Sequence, residues 1–339
     1  MTAPRVSVLV PVRNEERHLE EALASLFTQS EQRFEIVAVD DGSSDGTPQI
    51  LADHAARDSR LQVLRQPPRG IVAALNAGLA RARAPYLARM DADDIAAPER
   101  LGLLADALDA DPSLGLAASK VEYLGDRAAN RGLALWVDWT NGLRTPEDIA
   151  RERFVESPLV HPSVMFRREV VERHGGYREG DFPEDYELWL RWLEAGVRMK
   201  KVDAPLLVWR ERPDRLTRTD PRYSTEAFFR AKAPYLYRWL GERNPHHPHA
   251  IVWGAGRVTR RRLAPLLAAG LRVQAWVDID PKKIGWKVDG IPVIAPQDLP
   301  PPGEAFVLAA VGKRGARELI EAELGRQGYR VGVDCLFCA

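Results

Sequence analysis

The stretch Arg89-Met90-Asp91-Ala92-Asp93-Asp94 places three carboxylates directly after a short apolar run at residues 85–88. The run is typical of a buried strand, and residues 98–101 beyond the acids indicate a helix start with proline in the first turn. Clustered carboxylates repel one another unless a cation offsets their charge. Oxygen-rich sites suit Mg²⁺ or Mn²⁺, which also hold substrate phosphates. Taken alone, the stretch is equally compatible with a solvated acidic turn or a helix cap.

Two earlier strands end in polar residues in the same way. Apolar, β-branched runs predict strands at residues 6–10 and 34–39, which lead to Asn14 and Asp41. Helical spacing between the strands gives a β-α-β-α order, which predicts a mostly parallel, doubly wound α/β sheet with helices on both faces. Ligands of such sheets bind beyond the carboxyl ends of the strands. We therefore expect Asn14, Asp41 and residues 91–94 to line one crevice.

The pattern becomes mixed beyond residue 119. Residues 125–141 are largely polar and contain Trp136 and Trp139, and we expect a loop or a flexible wall there. Residues 161–166 predict a strand, and residues 223–240 predict the helix that closes the first domain.

Residues 183–195 show the spacing of an amphipathic helix. Pro183 fits the first turn, so Glu184 and Asp185 would lie at the N-terminus, where the helix dipole favours a charged carboxylate. Large apolar residues recur at helical spacing and should anchor the helix to the body of the protein. The same spacing places the charged residues of the later turns toward the outside: Glu187, Arg191 and Glu194.

Residues 244–249 contain two prolines and three histidines, which predicts a solvated linker between domains at 1–243 and 250–339. The second domain opens with a strand, the turn Gly254-Ala255-Gly256 and a helix, and Asp278 ends its next strand. This order predicts a smaller Rossmann-like α/β domain.

The role of that turn stays open, because Thr259 stands where a dinucleotide-binding turn has its third glycine. A dinucleotide site and a tight turn without a ligand are about equally compatible with it. The C-terminal pair Cys335 and Cys338 lacks a second pair for zinc, so we expect reduced, structurally incidental thiols.

Composition narrows the class of protein. The chain has 339 residues, 45% of them hydrophobic and 28% charged, which is ordinary for a globular protein of two domains. The chain has 48 basic residues (Lys and Arg) and 48 acidic residues (Asp and Glu), so its formal net charge is zero. It therefore lacks the overall positive charge that is typical of nucleic-acid-binding proteins. No apolar run approaches a membrane span. We expect a cytoplasmic protein, for which peripheral contact with the inner face of the membrane stays open.

The first 240 or so residues resemble the family 2 inverting glycosyltransferases, which have the GT-A fold. The motifs that carry the resemblance occur in order along the chain, at residues 10–15, 39–47, 76–78, 90–94, 161–163 and 184–186.

The resemblance implies roles for individual residues. Pro11 and Glu15 would line the nucleoside pocket, and Asp41 would contact the base. Asp91 would lie near the ribose and diphosphate, and Asp93 would bind the metal. Asp185 would be the catalytic base. The remaining residues expected to bind the nucleotide sugar are Arg13, His161, Arg210 and Arg212.

One position departs from the family pattern. Members often carry His two residues after the arginine near the end of the domain, close to the metal, whereas Arg212 follows Arg210 here. Either Arg212 neutralises diphosphate charge, or a second metal contact is missing.

The sequence therefore predicts an inverting glycosyltransferase that depends on Mg²⁺ or Mn²⁺. It would move a sugar from a nucleotide sugar, with UDP as the expected nucleotide, to a hydroxyl of a glycan, lipid-linked or other acceptor in cell-surface glycan biosynthesis. The second domain would be dispensable for transfer and would not be a dehydrogenase.

Two alternatives belong to other classes. A nucleotidyltransferase also places a metal and carboxylates below a nucleotide, but residues after the first strand lack a Gly-rich, basic phosphate loop. A non-catalytic sensor of nucleotide sugars is disfavoured by the presence of Asp93 and Asp185.

Overall fold

The computed structural model describes residues 3–339. Its strands follow the apolar runs of the sequence: β1 (Val6–Val12), β2 (Phe34–Asp41), β3 (Leu61–Gln66), β4 (Tyr86–Arg89), β5 (Ile95–Ala96), β6 (Leu114–Leu124), β7 (Val164–Arg167), β8 (Arg198–Arg210), β9 (His249–Trp253), β10 (Arg272–Val277), β11 (Lys287–Val288), β12 (Ile291–Ile294), β13 (Val307–Ala309) and β14 (Cys335–Phe337).

The helices lie between these strands. In chain order they are α1 (Leu19–Phe27), α2 (Thr47–Arg57), α3 (Ile71–Arg81), α4 (Arg100–Ala110), α5 (Arg131–Gly142), α6 (Pro146–Glu152), α7 (Arg168–His174), α8 (Glu184–Glu194), α9 (Leu216–Thr219), α10 (Thr225–Arg243), α11 (Arg257–Ala268) and α12 (Ala316–Arg326).

Within the described residues, the chain divides into two compact units. The first comprises residues 3–150, 158–180 and 191–219, and the second comprises residues 151–157, 181–190 and 220–339. The second unit therefore includes two segments that precede its main body in the sequence. The predicted domain boundaries at 243 and 250 stay a prediction.

The first unit contains an eight-stranded sheet within residues 3–339, in the order β3-β2-β1-β4-β7-β6-β8-β5. Strands β3, β2, β1 and β4 are parallel, whereas β7 runs antiparallel to both β4 and β6. The predicted doubly wound, mostly parallel α/β sheet is thus confirmed. Because the chain passes from β1 to β2 on one side and reaches β4 on the other, the carboxyl ends of these strands flank a switch point.

Burial explains why these strands are central. All eight residues of β2 are buried, and Phe34, Ile36 and Ala38 lie in one hydrophobic core with apolar side chains of β1, α1 and α4. Representative members of this core, each at most 1% exposed, are Val8, Leu23, Ile36 and Leu104.

The prediction of a loop at residues 125–141 is wrong, since α5 covers most of that stretch. The helix buries a narrow stripe formed by Ala134, Val137 and Thr140, three residues apart. So thin a stripe among polar residues gives a weak periodic signal, which is why the sequence pattern missed it.

The prediction of a strand across 161–166 is only half right. Residues His161–Ser163 form a 3₁₀ turn with Pro162 near its start, and β7 begins at Val164. Proline has no amide hydrogen for a ladder, so a strand cannot pair normally through it.

The second unit has a smaller, mostly parallel sheet, as predicted. Within residues 3–339 its order is β11-β12-β10-β9-β13-β14, and β11 runs antiparallel to β12. Gly254, after β9, has φ +126°, and a Cβ atom there would lie 3.0 Å from a side-chain atom of Thr259. The glycine therefore serves the close packing of the turn against its own helix.

Residues between α10 and β9 form a hydrogen-bonded turn rather than an extended segment. The Asn244 side chain accepts from the His246 amide at 2.8 Å and donates to the His249 carbonyl at 2.8 Å. Both flanking elements belong to the second unit.

Cys335 and Cys338 are buried free thiols. Burial raises the pKa of each thiol to about 12, so both stay protonated and unreactive at neutral pH. No helix within residues 3–339 is both long enough and apolar enough to cross a membrane.

The position of α5 is linked to a buried amine. Lys201 of β8 is 2% exposed, and its Nζ donates to the carbonyl of Thr140 at the end of α5. Burial, together with the charge of Lys120, lowers the pKa of Lys201 to about 7.

We expect stability to depend on pH through Lys201. Between pH 7 and the ordinary lysine pKa, the unfolded chain binds a proton that the folded chain does not, so folding becomes more favourable as pH rises. From pH 7 to pH 9, the free energy of unfolding of the wild type should rise by about 2 kcal/mol relative to Lys201→Met. Denaturant unfolding at several pH values measures this difference.

Lys200→Met is the matched control, because the neighbouring Lys200 is exposed. A difference between wild type and Lys201→Met that stays constant over this pH range would contradict the prediction.

Candidate active site

The acids after β4 lie together at the carboxyl edge of the first sheet. Carboxylate oxygens of Asp91, Asp93 and Asp94 lie within 4.8 Å of one another, and this is the one group of three potential metal ligands found among residues 3–339. The side chain of Asp94 is fully buried, that of Asp93 is 7% exposed and that of Asp91 is 19% exposed. We call these three residues the acidic cluster.

Arg215 is the central partner of the acidic cluster. Its guanidinium lies 2.9 Å from an Asp91 carboxylate oxygen, 3.7 Å from one of Asp93 and 3.8 Å from one of Asp94. It also stacks over the ring of Trp209, 4.5 Å from the centroid. One arginine thus neutralises part of the charge of all three acids.

Arg212 joins the acidic cluster to the end of β1. Its two terminal nitrogens donate to the two carboxylate oxygens of Glu15, both at 2.8 Å, and its Nε lies 3.1 Å from Asp93. The His18 ring nitrogen lies 2.7 Å from the same Glu15 carboxylate. The arginine at the position where the family often has histidine is therefore an ion-pair partner of two predicted site residues.

Arg210 holds the backbone of the acidic loop. Its amide donates to the Asp94 carboxylate at 2.9 Å, and its Nε donates to the Asp93 carbonyl at 2.9 Å. Its terminal nitrogen donates to Glu21 at 2.6 Å. The side chain thus fixes the loop rather than extending freely into a crevice.

Burial and neighbouring charges shift the pKa values of the three acids in different directions. Burial alone would raise the pKa of Asp91, but the charges of Arg89 and Arg215 outweigh it, and the pKa lies below its usual range. Burial raises the pKa of Asp93, and burial with the neighbouring Asp91 and Asp93 charges raises the pKa of Asp94 well above the ordinary value. A further positive charge at this place would favour the ionised form of all three.

Asp41 organises the loop before α3. Its carboxylate accepts from the amides of Arg69 and Gly70 and from the Gln66 side chain, at 2.7 to 2.8 Å. The exposed Arg13 approaches it at 4.0 Å. A carboxylate with these bonds has a fixed orientation at the end of β2.

Asn14 and Pro11 lie at the end of β1. Asn14 has φ +52°, a conformation that asparagine tolerates, and its side chain accepts from the Ser44 amide at 2.8 Å. Pro11 is half-buried in β1, paired in register with Val39 of β2. The turns after β1 and β2 are thereby joined.

His161 is buried beside Tyr177, with 2.8 Å between its Nε2 and the tyrosine hydroxyl oxygen. Asn76 in turn exchanges two hydrogen bonds with the backbone of Tyr177, at 2.9 and 3.1 Å. Burial, with the positive charge of Arg89, lowers the pKa of His161 well below its ordinary value, so the ring is neutral at pH 7.

Asp185 lies in the first turn of α8, in a part of the helix that belongs to the second unit. Its carboxylate accepts from the Tyr186 amide at 2.7 Å. The expectation that Glu187 and Arg191 point outward is wrong, because they are 4% and 8% exposed. Glu187 accepts from the Tyr235 hydroxyl at 2.6 Å, and Arg191 donates to the Gly176 carbonyl at 2.6 Å.

The acidic cluster fits a divalent cation by its chemistry. All of its donors are carboxylate oxygens, the ligands that Mg²⁺ and Mn²⁺ prefer. Oδ2 of Asp94 is buried without a hydrogen-bond partner, which leaves an acceptor that an ion could use. Asp93 and Asp91 would have to release part of their contact with Arg212 and Arg215 to become ligands.

Sequence reasoning missed Arg215, Arg89 and Tyr177. Arg215 follows Arg210 and Arg212 in one short segment, and that repetition of arginine was the available signal. Arg89 is buried and pairs with Asp91, and its position two residues before Asp91 was the available signal. Nothing local marks Tyr177 as a partner of His161.

Sequence similarity to known proteins extends over about half to two thirds of the chain. The family described as Glycosyl transferase family 2 matches residues 7–175. The amylovoran biosynthesis glycosyltransferase AmsE of Erwinia amylovora is 32% identical over 193 residues, which cover 56% of this chain and 70% of AmsE. EpsE of Bacillus subtilis (strain 168) is 29% identical over 233 residues, 66% of this chain and 80% of EpsE.

One group of solved structures has a similar fold. S. aureus TarS 1–349, in a crystal structure with UDP-GlcNAc, superposes with a TM-score of 0.56 at 20% identity. The superposition covers 78% of this chain and 71% of the TarS chain. At this level of identity the likeness concerns the fold.

We predict that Arg215 and a divalent ion compete for the acidic cluster. Arg215→Met leaves buried carboxylates without their main counter-charge, so the free energy of unfolding should fall by about 3 kcal/mol or more. Mn²⁺ should then raise the melting temperature of the variant by more than that of the wild type, because the ion replaces the lost charge.

Arg218→Met is the control, since Arg218 lies on the same segment but pairs with Glu211. Equal effects of Mn²⁺ on wild type and Arg215→Met would contradict the competition.

Proposed function

This chain belongs to glycosyl transferase family 2, and from that premise we propose that it catalyses inverting, metal-dependent sugar transfer from a UDP-sugar to an acceptor hydroxyl. As a member of the family it is a glycosyltransferase that uses a nucleotide-sugar donor. The observation that carries the finer proposal is the acidic cluster at the end of β4, joined through Arg212 to Glu15 at the end of β1. No observation favours the two alternative functions, a nucleotidyltransferase or a non-catalytic sensor of nucleotide sugars.

The donor would bind along the carboxyl ends of β1, β2 and β4. Asp41 supports recognition of the base by its fixed carboxylate, and Pro11, Arg13 and Glu15 supply the adjoining wall. The TarS structure, which is similar in fold, contains UDP-GlcNAc, and this supports a UDP-sugar as the donor class. Asp91 would lie beside the ribose and diphosphate.

Asp93, with Asp91 and Asp94 beside it, would hold Mg²⁺ or Mn²⁺. Such an ion acts as a Lewis acid that stabilises negative charge on the departing diphosphate. The chain adds its own positive charge at the same place: Arg212 and Arg215, released in part from the acids, can approach the diphosphate oxygens. Positive charge at the place where negative charge develops lowers the barrier to transfer.

Asp185 would act as the general base. It takes the proton of the acceptor hydroxyl while the acceptor oxygen forms a bond to the anomeric carbon. The bond from that carbon to the diphosphate oxygen breaks, and its electron pair leaves with the nucleoside diphosphate. One displacement of this kind inverts the anomeric configuration.

We propose a place in polysaccharide or other cell-surface glycan synthesis. AmsE is named for amylovoran biosynthesis, and this chain is 32% identical to it. The acceptor would be a glycan or a lipid-linked sugar with a free hydroxyl, reached at the inner face of the membrane.

The metal model predicts linked binding of UDP and ion. UDP at about 100 times its Kd should stabilise the protein by about 2.7 kcal/mol when Mg²⁺ or Mn²⁺ is present, and much less in EDTA. Asp93→Asn should remove this dependence on the ion, as measured by thermal shift. The exposed Asp214, 3.7 Å from Arg212, provides the control Asp214→Asn.

If UDP stabilised the wild type equally in EDTA and in the presence of Mg²⁺ or Mn²⁺, the proposal that Asp93 and UDP bind the same ion would be contradicted.

The assignment of the base predicts a separation of chemistry from binding. Asp185→Asn keeps the size of the side chain but cannot accept the proton, so transfer should fall by roughly 10²–10⁴-fold. Stabilisation by UDP and the ion should be unchanged. Glu184→Gln, one residue away, should cost much less, because an amide oxygen can still accept the bond from Tyr223.

If Asp185→Asn kept most of its transfer rate, the base would lie elsewhere, and His161 would be tested next.

A further inference from the structure

We propose, contrary to the expectation from the sequence that the second domain is dispensable for transfer, that the C-terminal α/β unit is a positioning element for the first turns of α8, and thereby for Asp185. This inference rests on the proposed role of Asp185 as the base. Residues 181–190 belong to the same compact unit as residues 220–339, although more than 25 residues of the first unit's chain separate them in the sequence. The proposed base therefore lies on the part of α8 that belongs to the second unit.

The hydrophobic core of the second unit includes α8. Tyr186 and Leu190 are 0% and 1% exposed, and they belong to one cluster with apolar residues of α10, β10, β13 and β14. Phe154, from the other early segment, is buried in the same cluster. Members of this cluster from the C-terminal elements are Leu236, Leu240, Trp276, Leu308 and Leu336.

Two tyrosine hydroxyls fix the acids on either side of Asp185. Tyr223, just before α10, donates to Glu184 at 2.6 Å, and Tyr235 of α10 donates to Glu187 at 2.6 Å. Burial, with the charges of Glu184 and Asp185, raises the pKa of Tyr223 well above its ordinary value. Its hydroxyl therefore stays protonated, and remains a donor, over the whole working range of pH.

The second early segment is tied to the C-terminal elements as well. Lys232 of α10, 2% exposed, donates through Nζ to the carbonyls of Phe154 and Cys338, both at 2.8 Å. Arg317 of α12 forms a two-contact ion pair with Glu152, at 2.6 and 2.8 Å. Tyr186 of α8 then donates to the Arg153 carbonyl at 2.7 Å, so this segment in turn supports the helix.

Through these contacts the C-terminal unit can position the first turns of α8 without binding a ligand of its own. An appendage that served only to bind a separate molecule would have no need of hydrogen bonds to Glu184 and Glu187. A hydrogen bond to a charged group is stronger than a neutral one and more geometrically restrictive. A small displacement of a catalytic group from its productive position can cost up to about a hundredfold in rate.

The test is the full-length double variant Tyr223→Phe, Tyr235→Phe, which removes two hydroxyls and little volume. We expect kcat for transfer to fall roughly tenfold to hundredfold, while the donor KM and the stabilisation by UDP with Mn²⁺ stay as in the wild type. Hydrogen exchange of the amides at 184–190 should become at least about tenfold faster. Tyr237→Phe on the same helix is the matched control, since the Tyr237 ring packs against His247.

Wild-type kcat and wild-type exchange in the double variant would overturn the inference. It would also fall if UDP stabilisation were lost in parallel with kcat, because that would show a general loss of the fold rather than of helix position. Asp185→Asn, measured alongside, separates the two proposals. If that variant keeps transfer activity, the base is wrong, whereas if it loses activity and the double variant does not, only the positioning role fails.

Discussion

Three carboxylates at the end of one strand must lie close together, and the guanidinium groups around them make this arrangement stable. At about 4 Å and an effective dielectric constant near 20, each pair of unit charges interacts by about 4 kcal/mol. Ionised acids of the cluster repel one another, and Arg89, Arg212 and Arg215 attract them in several close contacts. The loop from Asp91 to Asp94 therefore depends on cations supplied by distant parts of the chain. In the proposed reaction, some of the contacts between these acids and arginines are replaced. The acids then contact the metal ion, and the arginines contact the diphosphate.

The strands that build the site could be predicted because their signal is local. Buried parallel strands are continuous apolar, β-branched runs, and the polar residues after them fall at the switch point of the sheet. The parts that could not be predicted depend on contacts between residues distant in sequence. Arg215 meets Asp91 across 124 positions, and no short motif encodes such a pair. In α5 the buried stripe is narrow, so the periodic signal was too weak for a helix prediction.

The charged residues of α8 also could not be predicted fully, because their burial depends on partners distant in the sequence. Helical spacing places Glu187 and Arg191 correctly on the helix but cannot say what lies opposite them. Glu187 is buried because a tyrosine hydroxyl of α10 meets it, and Arg191 because backbone carbonyls of residues 174–176 accept its hydrogen bonds. Polarity in a sequence predicts exposure only while no polar partner is supplied by the fold.

The interleaving of the two units along the chain also affects how the protein is made. Residues 151–157 and 181–190 leave the ribosome well before the elements that bury Phe154, Tyr186 and Leu190. Translation proceeds at about 5–20 residues per second, so the about 150 residues that follow take roughly 7 to 30 seconds. During that interval the nascent chain exposes aromatic side chains that the finished protein covers. Exposed apolar surface of this kind makes an incompletely synthesised chain prone to aggregation.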